Sequence, residues 1–149
     1  MSEYSAEQNS GLTQESDLEN LSMLGEGTTV PKRHLETFPN RHPGRDYVVT
    51  LSTNEFTCVC PATGQPDFAT ITIKYIPKDR IVESKSLKLY LWSYRNEGVF
   101  HEHITNVILD DLVAALEPKW CEVTGDFNVR GGIAISVKAE FNDPTYHGK

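Results

Sequence analysis

Phe68-Ala69-Thr70-Ile71-Thr72-Ile73-Lys74-Tyr75-Ile76 alternates without a break. Ala69, Ile71, Ile73 and Tyr75 fall on one side of an extended chain, and Thr70, Thr72 and Lys74 on the other. A period of two with one apolar side is the pattern of a half-buried strand. Upstream, residues 45–56 contain the β-formers Tyr47-Val48-Val49-Thr50-Leu51 and read as a second strand. The intervening residues 57–67 hold Pro61, Gly64 and Pro66 and read as an irregular loop. Downstream the period changes. Leu87, Tyr90, Leu91 and Tyr94 recur at helical spacing over 84–94, with Asn96-Glu97-Gly98 as the stop. Over 102–116 the residues Ile104, Val107, Ile108, Leu112, Ala115 and Leu116 form one stripe, and Pro118 lies beyond its end. Residues 120–127 and 133–140 read as two further strands joined across Asn128-Val129-Arg130-Gly131-Gly132. The order β-β-α-α-β-β implies an α+β domain: a four-stranded antiparallel sheet with helices on one face. Its second face must be solvated or covered by another subunit, and its two edges favour closure with copies of itself.

The chain of 149 residues, 38% hydrophobic and 23% charged, suffices for one core. Its net charge of −7 argues against a surface that tracks a phosphate backbone, so no nucleic-acid partner is expected. Residues 1–27 hold six acids (Glu3, Glu7, Glu15, Asp17, Glu19, Glu26) and no Lys or Arg, so they carry −6 of that charge. With one small apolar cluster (Leu18, Leu21, Met23, Leu24) they read as a flexible acidic tail, leaving 28–149 as the folded domain. Pro31, Pro39 and Pro43 mark an extended lead-in. The three cysteines make an odd count, no charged and apolar leader pattern opens the sequence, and no apolar run approaches a membrane span. The expectation is a reduced, cytoplasmic protein without membrane partners.

Candidate chemistry concentrates in three places. In Cys58-Val59-Cys60-Pro61-Ala62-Thr63-Gly64-Gln65-Pro66-Asp67, a thiol in a rigid loop precedes a carboxylate by seven residues, which can bracket a small ligand. Cys121, among strand residues, reads as a structural thiol, and Cys-x-Cys is too short for ordinary zinc spacing. In Phe100-His101-Glu102-His103, the two histidines point nearly oppositely on a helix. Glu102 reads either as complement to the helix dipole or as an acceptor for paired N–H groups of a guanine-like edge. In Glu83-Ser84-Lys85-Ser86-Leu87-Lys88-Leu89-Tyr90, Lys85 and Lys88 share a helix face that suits phosphate or simply solvent. Arg130-Gly131-Gly132 is compatible with a plain hairpin turn.

Taken together, Cys60-Pro61 with Thr63-Gly64-Gln65-Pro66-Asp67-Phe68-Ala69, then Glu83 through Tyr90, Ser93-Tyr94-Arg95-Asn96, Phe100-His101-Glu102 and Arg130-Gly131-Gly132 resemble the 7-cyano-7-deazaguanine reductases. These are NADPH-dependent nitrile reductases of queuosine biosynthesis, here in the short, single-module form. The resemblance covers roughly residues 38–135. It implies the tunnelling fold, in which subunits close side by side into ring-shaped barrels that stack in pairs, with a decamer as the expected assembly. It implies that Cys60 is the nucleophile that forms a covalent thioimide with the nitrile and that Asp67 is the proton donor. It places His101 and Glu102, and Val82, Glu83 and Ser84 across a subunit boundary, on the substrate. Lys85, Lys88 and Arg130 are the candidates for the NADPH phosphates, since the chain has no Gly-x-Gly-x-x-Gly motif. Cys58 is expected to pack as a small apolar residue. The substrate is the free base, and no metal is expected.

Two rival classes share much of this pattern. A zinc hydrolase on the same fold would use Cys58, Cys60, Cys121 and the histidines as ligands. A non-catalytic nucleobase-binding module would keep Glu102 but have no need of Cys60 and Asp67.

Overall fold

In the computed structural model, the described residues are 13–17, 19 and 30–148. The chain divides into Met1–Val30 and Pro31–Lys149. Most of the expected acidic tail lies outside the described residues. Within it, Glu15–Asp17 forms one 3-10 turn, and the Gln14 N–H donates to the Asp17 carboxylate at 2.8 Å.

The second unit contains β1 (Thr37–Pro39), β2 (Val49–Val59), β3 (Pro66–Ile76), β4 (Arg80–Val82), α1 (Ser84–Trp92), α2 (His101–Leu116), β5 (Trp120–Arg130) and β6 (Ile133–Asn142). The main sheet has the order β2-β3-β5-β6 and is antiparallel throughout. Phe56, Cys58, Ala69, Ile71, Ile73, Tyr75, Cys121, Val123 and Phe127 line one face, against Leu87, Tyr90 and Leu91 of α1 and Ile104, Ile108, Leu112 and Leu116 of α2. The expected α+β architecture is therefore present, and the main sheet with its two helices follows the expected order. Removing these side chains from water supplies roughly 1.5–3 kcal/mol for each large one.

Several boundaries differ from the sequence reading. The first strand runs over Val49–Val59, not 45–56, and the second begins at Pro66. Pro66 pairs with Val59 as the first residue of its strand, where a missing N–H is tolerated. The irregular loop shrinks to residues 60–65. α1 ends at Trp92, two residues early. Gly98, expected as part of its stop, instead forms a parallel bridge with Val59. A Cβ there would stand 3.3 Å from Pro61 Cα, so the small residue lets two backbones meet. Val107 is 39% exposed, because the buried stripe of α2 turns through Ile104, Thr105, Ile108, Leu109, Leu112 and Leu116.

β1 and β4, three residues each, form a separate two-stranded antiparallel sheet that periodicity does not reveal. Asn40 fixes the chain beside it: its amide donates to the Lys78 carbonyl at 2.8 Å, and its Oδ1 accepts from the His42 N–H and the Tyr47 hydroxyl.

Two bulges set which side chains face the helices. In β2, Thr53 pairs with Ile71 but Phe56 with Ala69, so Asn54 and Glu55 share one partner position. Before the bulge Val49 and Leu51 turn inward. After it, the phase flips to Phe56 and Cys58. In β5, Phe127 pairs with Ile135 but Arg130 with Ile133, which again inserts one residue.

Candidate active site

The catalytic candidates gather at one end of the main sheet. β2 and β3 bring Cys58 opposite Asp67, and the chain between them turns back through the six-residue loop. That loop is closed by the Cys60 N–H donating to the Gln65 carbonyl and the Gly64 N–H donating to the Cys60 carbonyl, both at 2.8 Å. Gly64 adopts φ +71°, which a side chain would resist. On the outside, Val59 donates to the Glu97 carbonyl at 2.9 Å and accepts from the Val99 N–H at 3.1 Å. The loop is thereby tied to the segment that leads into α2.

Inside this turn the Cys60 thiol is pulled down to about 7. The causes are the Thr63 hydroxyl, then the backbone N–H groups of Thr63 and Ala62, with a further contribution from the positive charge of Arg130. A thiol with that value is about half thiolate at neutral pH, the form that attacks electrophiles. Cys58 and Cys121 are the reverse. Both are fully buried, and burial pushes them up to about 11 and about 12. Alkylation of the native protein by iodoacetamide should therefore be confined to Cys60, with a rate that rises with pH through a midpoint near 7 and then levels off. A midpoint near that of a free thiol would mean that the loop does not hold the thiolate.

Asp67 is 4% exposed, and two side chains reach its carboxylate. His101 Nε2 lies 3.2 Å from Oδ2, and Arg130 Nη1 donates to Oδ1. Arg130 Nη2 also donates to Gln65 Oε1 at 3.2 Å. His101 is the first residue of α2, and its ring stacks on Phe127 at 3.8 Å between centroids and 5° between planes. His103 turns away and meets Phe100 edge-on, as the two-residue spacing implied.

The packing beneath His101 depends on Gly125. A Cβ there would stand 2.8 Å from Thr105 Oγ1 and 2.9 Å from Phe127 Cε2. Thr105 in turn donates to the His101 carbonyl. Gly125→Ala should push α2 and Phe127 apart and lower stability by about 1–3 kcal/mol, as overpacking does. Urea denaturation measures this, and an unchanged midpoint would contradict the tight packing.

The other sequence candidates are placed less directly. Glu102 is exposed in the first turn of α2, whose N-cap Phe100 makes no side-chain capping bond. Glu83 caps α1: its two oxygens accept from the N–H groups of Lys85 and Ser86 at 2.8 and 2.7 Å, which holds its carboxyl below the ordinary value. The Val82 side chain is buried, and its N–H donates to the Tyr75 hydroxyl. Tyr75 stands eight residues beyond Asp67 on β3, roughly 26 Å at about 3.3 Å per residue. Within one chain, Val82, Glu83 and Ser84 are therefore not brought to Cys60. Lys85 and Lys88 are exposed on α1 and form no ion pair among the described residues. Thr63, Gln65 and Phe127 had not been singled out. The first two lie inside the quoted loop, and Phe127 looked like an ordinary end of a strand.

The zinc alternative fails on placement. Cys121 pairs with Tyr75 and Cys58 with Asp67, at opposite ends of β3, so the three thiols do not converge. Among the described residues no three His, Cys, Asp or Glu side chains cluster as a metal site.

A thiol from the loop, a buried carboxylate from the start of β3 and an imidazole from the first turn of α2 thus lie at one end of the sheet, side-chain types that enzymes combine in nucleophilic and acid–base chemistry. The family described as QueF-like protein matches residues 66–146. A relative from Syntrophus aciditrophicus (strain SB), named NADPH-dependent 7-cyano-7-deazaguanine reductase, is 68% identical over 128 residues, covering 86% of this chain and 91% of its own. Proteins of the same name from Anaeromyxobacter sp. (strain K) and Thermomicrobium roseum are each 63% identical, over 77% and 76% of this chain and 94% and 88% of theirs. The crystal structure of an archaeosine synthase QueF-Like in the apo form superimposes with a TM-score of 0.59 at 28% identity, covering 62% of this chain and 91% of that one. The chain belongs to the QueF-like family.

Proposed function

We propose that this protein is an NADPH-dependent 7-cyano-7-deazaguanine reductase of queuosine biosynthesis, a tRNA-modification pathway, and that it works through a covalent thioimide on Cys60. The observation that carries the reading is the turn that lowers the Cys60 thiol through Thr63 and Ala62, joined to the strand end that holds the buried Asp67 by Arg130, which bears on both, in a chain with close relatives of that name.

The Cys60 sulfur adds to the nitrile carbon. The proton it gives up passes through Asp67 to the nitrile nitrogen, which yields the neutral thioimide. Bound NADPH would supply two hydrides, one for the thioimide carbon and one for the imine carbon left once the C–S bond breaks and Cys60 departs as thiolate. Each would be matched by one proton that Asp67 or His101 would pass to nitrogen, and the product would be 7-aminomethyl-7-deazaguanine. The covalent bond keeps the half-reduced substrate in place and away from water.

The cationic side chains are of the right kind for a phosphate-bearing cofactor. Lys85 and Lys88 are exposed and form no ion pair among the described residues, and both would hold NADPH by its phosphates. Arg130 was grouped with them, but two of its nitrogens already serve Asp67 and Gln65. Glu102 would accept the paired N–H groups of the pyrimidine ring, and His101 lies beside it.

The segment Val82-Glu83-Ser84 would complete the site from a neighbouring subunit. Its distance from Cys60 within one chain supports that arrangement. So do the outer edges of β2 and β6, which have no further strand partner among the described residues. Closure through those edges into stacked rings, with a decamer as the expected size, is the assembly we propose. We place the enzyme in the cytoplasm, where thiols stay reduced, as a domain over 28–149 that acts on a free base rather than on nucleic acid. Among the described residues no helix is long and apolar enough to cross a membrane.

Intact-protein mass spectrometry after mixing with 7-cyano-7-deazaguanine and no NADPH tests the reading. The expected result is one added substrate mass that disappears when NADPH is supplied. Bound substrate without any covalent adduct would overturn the thioimide route.

A further inference from the structure

Arg130 reads from the sequence as either a hairpin residue or a phosphate ligand, yet its guanidinium lies on Asp67. The cause is the bulge in β5. In an uninterrupted ladder residues 125, 127 and 129 share a face, so Val129 would point toward the site and Arg130 away from it. The extra residue between Phe127 and Arg130 reverses this: Val129 is 63% exposed, and Arg130 falls on the face of Phe127. Because Phe127 pairs with Ala69, that face carries Arg130 onto the carboxylate two residues earlier on β3. The guanidinium then bridges Asp67 Oδ1 and Gln65 Oε1, while His101 engages Oδ2. With Arg130 donating to one oxygen and His101 Nε2 3.2 Å from the other, the carboxylate is held from both sides.

We propose that Arg130 is a positioning residue of the thiol–carboxylate pair: it locks the orientation in which Asp67 moves the proton from Cys60 to the substrate nitrogen. The role rests on the function proposed above and differs from cofactor binding, since it acts before any NADPH is needed. The titratable and charged groups that face Asp67 are Cys58 from β2, His101 from α2 and Arg130 from β5, with Cys60 on the adjoining loop. Arg130 also favours the Cys60 thiolate by its charge. A planar two-armed donor suits this bridge, and a lysine cannot replace it.

The test is the rate of adduct formation with 7-cyano-7-deazaguanine at saturating concentration and without NADPH, beside the pH profile of iodoacetamide alkylation. Arg130→Met should slow adduct formation on the order of 10- to 100-fold, the effect of a displaced catalytic group, and move the alkylation midpoint upward. Arg130→Lys keeps the charge but not the bridge. It should keep the wild-type alkylation midpoint and still form the adduct several-fold more slowly, which leaves a decisive variant if the Met protein does not fold. Wild-type adduct rates in both variants, with only the KM for NADPH raised, would make Arg130 a cofactor ligand and overturn the proposal. If the wild-type protein itself forms no adduct, the thioimide route fails. The alkylation profiles then judge Arg130 separately: an unmoved midpoint in Arg130→Met removes its hold on the thiol, and a raised one retains it.

Discussion

Cys60→Ala is expected to abolish both the covalent adduct and turnover, with activity lower on the order of 10⁴-fold or more, as for other enzymes deprived of their nucleophile. Neither of the other thiols can stand in for it. Cys58 faces the core from the same strand end, fully buried and pushed up to about 11, and Cys121 lies at the far end of the sheet. The substitution should leave the fold intact, because Cys60 sits at the mouth of a loop whose closing bonds are made by backbone groups. The loop's donors also gain meaning from this comparison. The Thr63 hydroxyl and the N–H groups of Thr63 and Ala62 are aimed at a sulfur anion, so in the variant they lose their partner while remaining open to water. Mass spectrometry and NADPH oxidation at 340 nm together read the outcome. Residual adduct in Cys60→Ala would relocate the nucleophile, and unimpaired turnover without adduct would favour direct hydride transfer to the nitrile.

The central strand and both helices were legible because their burial is regular. Ala69, Ile71, Ile73 and Tyr75 alternate into the core, and Leu87, Tyr90 and Leu91 bury one helical face. What was not legible has a common cause: it depends on pairing between distant segments. The two bulges leave no composition signal, since Asn54-Glu55 and Asn128-Val129 are ordinary strand or turn residues until their partners on β3 and β6 are known. Gly98 looked like a helix stop because the approach of Pro61 cannot be read from the chain around it. β1 and β4 are too short to show a period. At the site, Cys60 and Asp67 stood out as a thiol and a carboxylate at the two ends of one loop, their expected roles came from the resemblance, and the setting that lowers the Cys60 thiol came only with the geometry of Thr63. Arg130 was noticed for its charge. Its contact with Asp67 follows from one inserted residue that shifts the phase of a strand.

That contact shapes the expectation for Asp67→Asn, the second large effect. Adduct formation at saturating substrate should fall by about 10²- to 10⁴-fold, the usual contribution of a placed acid–base group. The amide keeps the shape of the carboxylate but offers one acceptor and one donor. Facing Arg130 it must present its oxygen, which turns its NH2 toward His101 Nε2, an atom that can accept only when the ring carries its proton at Nδ1. The side chain can therefore stay in place while its chemistry is lost. Iodoacetamide separates the two. Alkylation needs the thiolate but no proton on the attacked group, and the groups that lower the Cys60 thiol are Thr63, Ala62 and Arg130, not Asp67. The variant should therefore alkylate with a midpoint still near pH 7 and yet fail to form the thioimide. Adduct formation at the wild-type rate would instead assign the proton to His101, the other titratable side chain on that carboxylate, and leave Asp67 as the anchor that orients the imidazole.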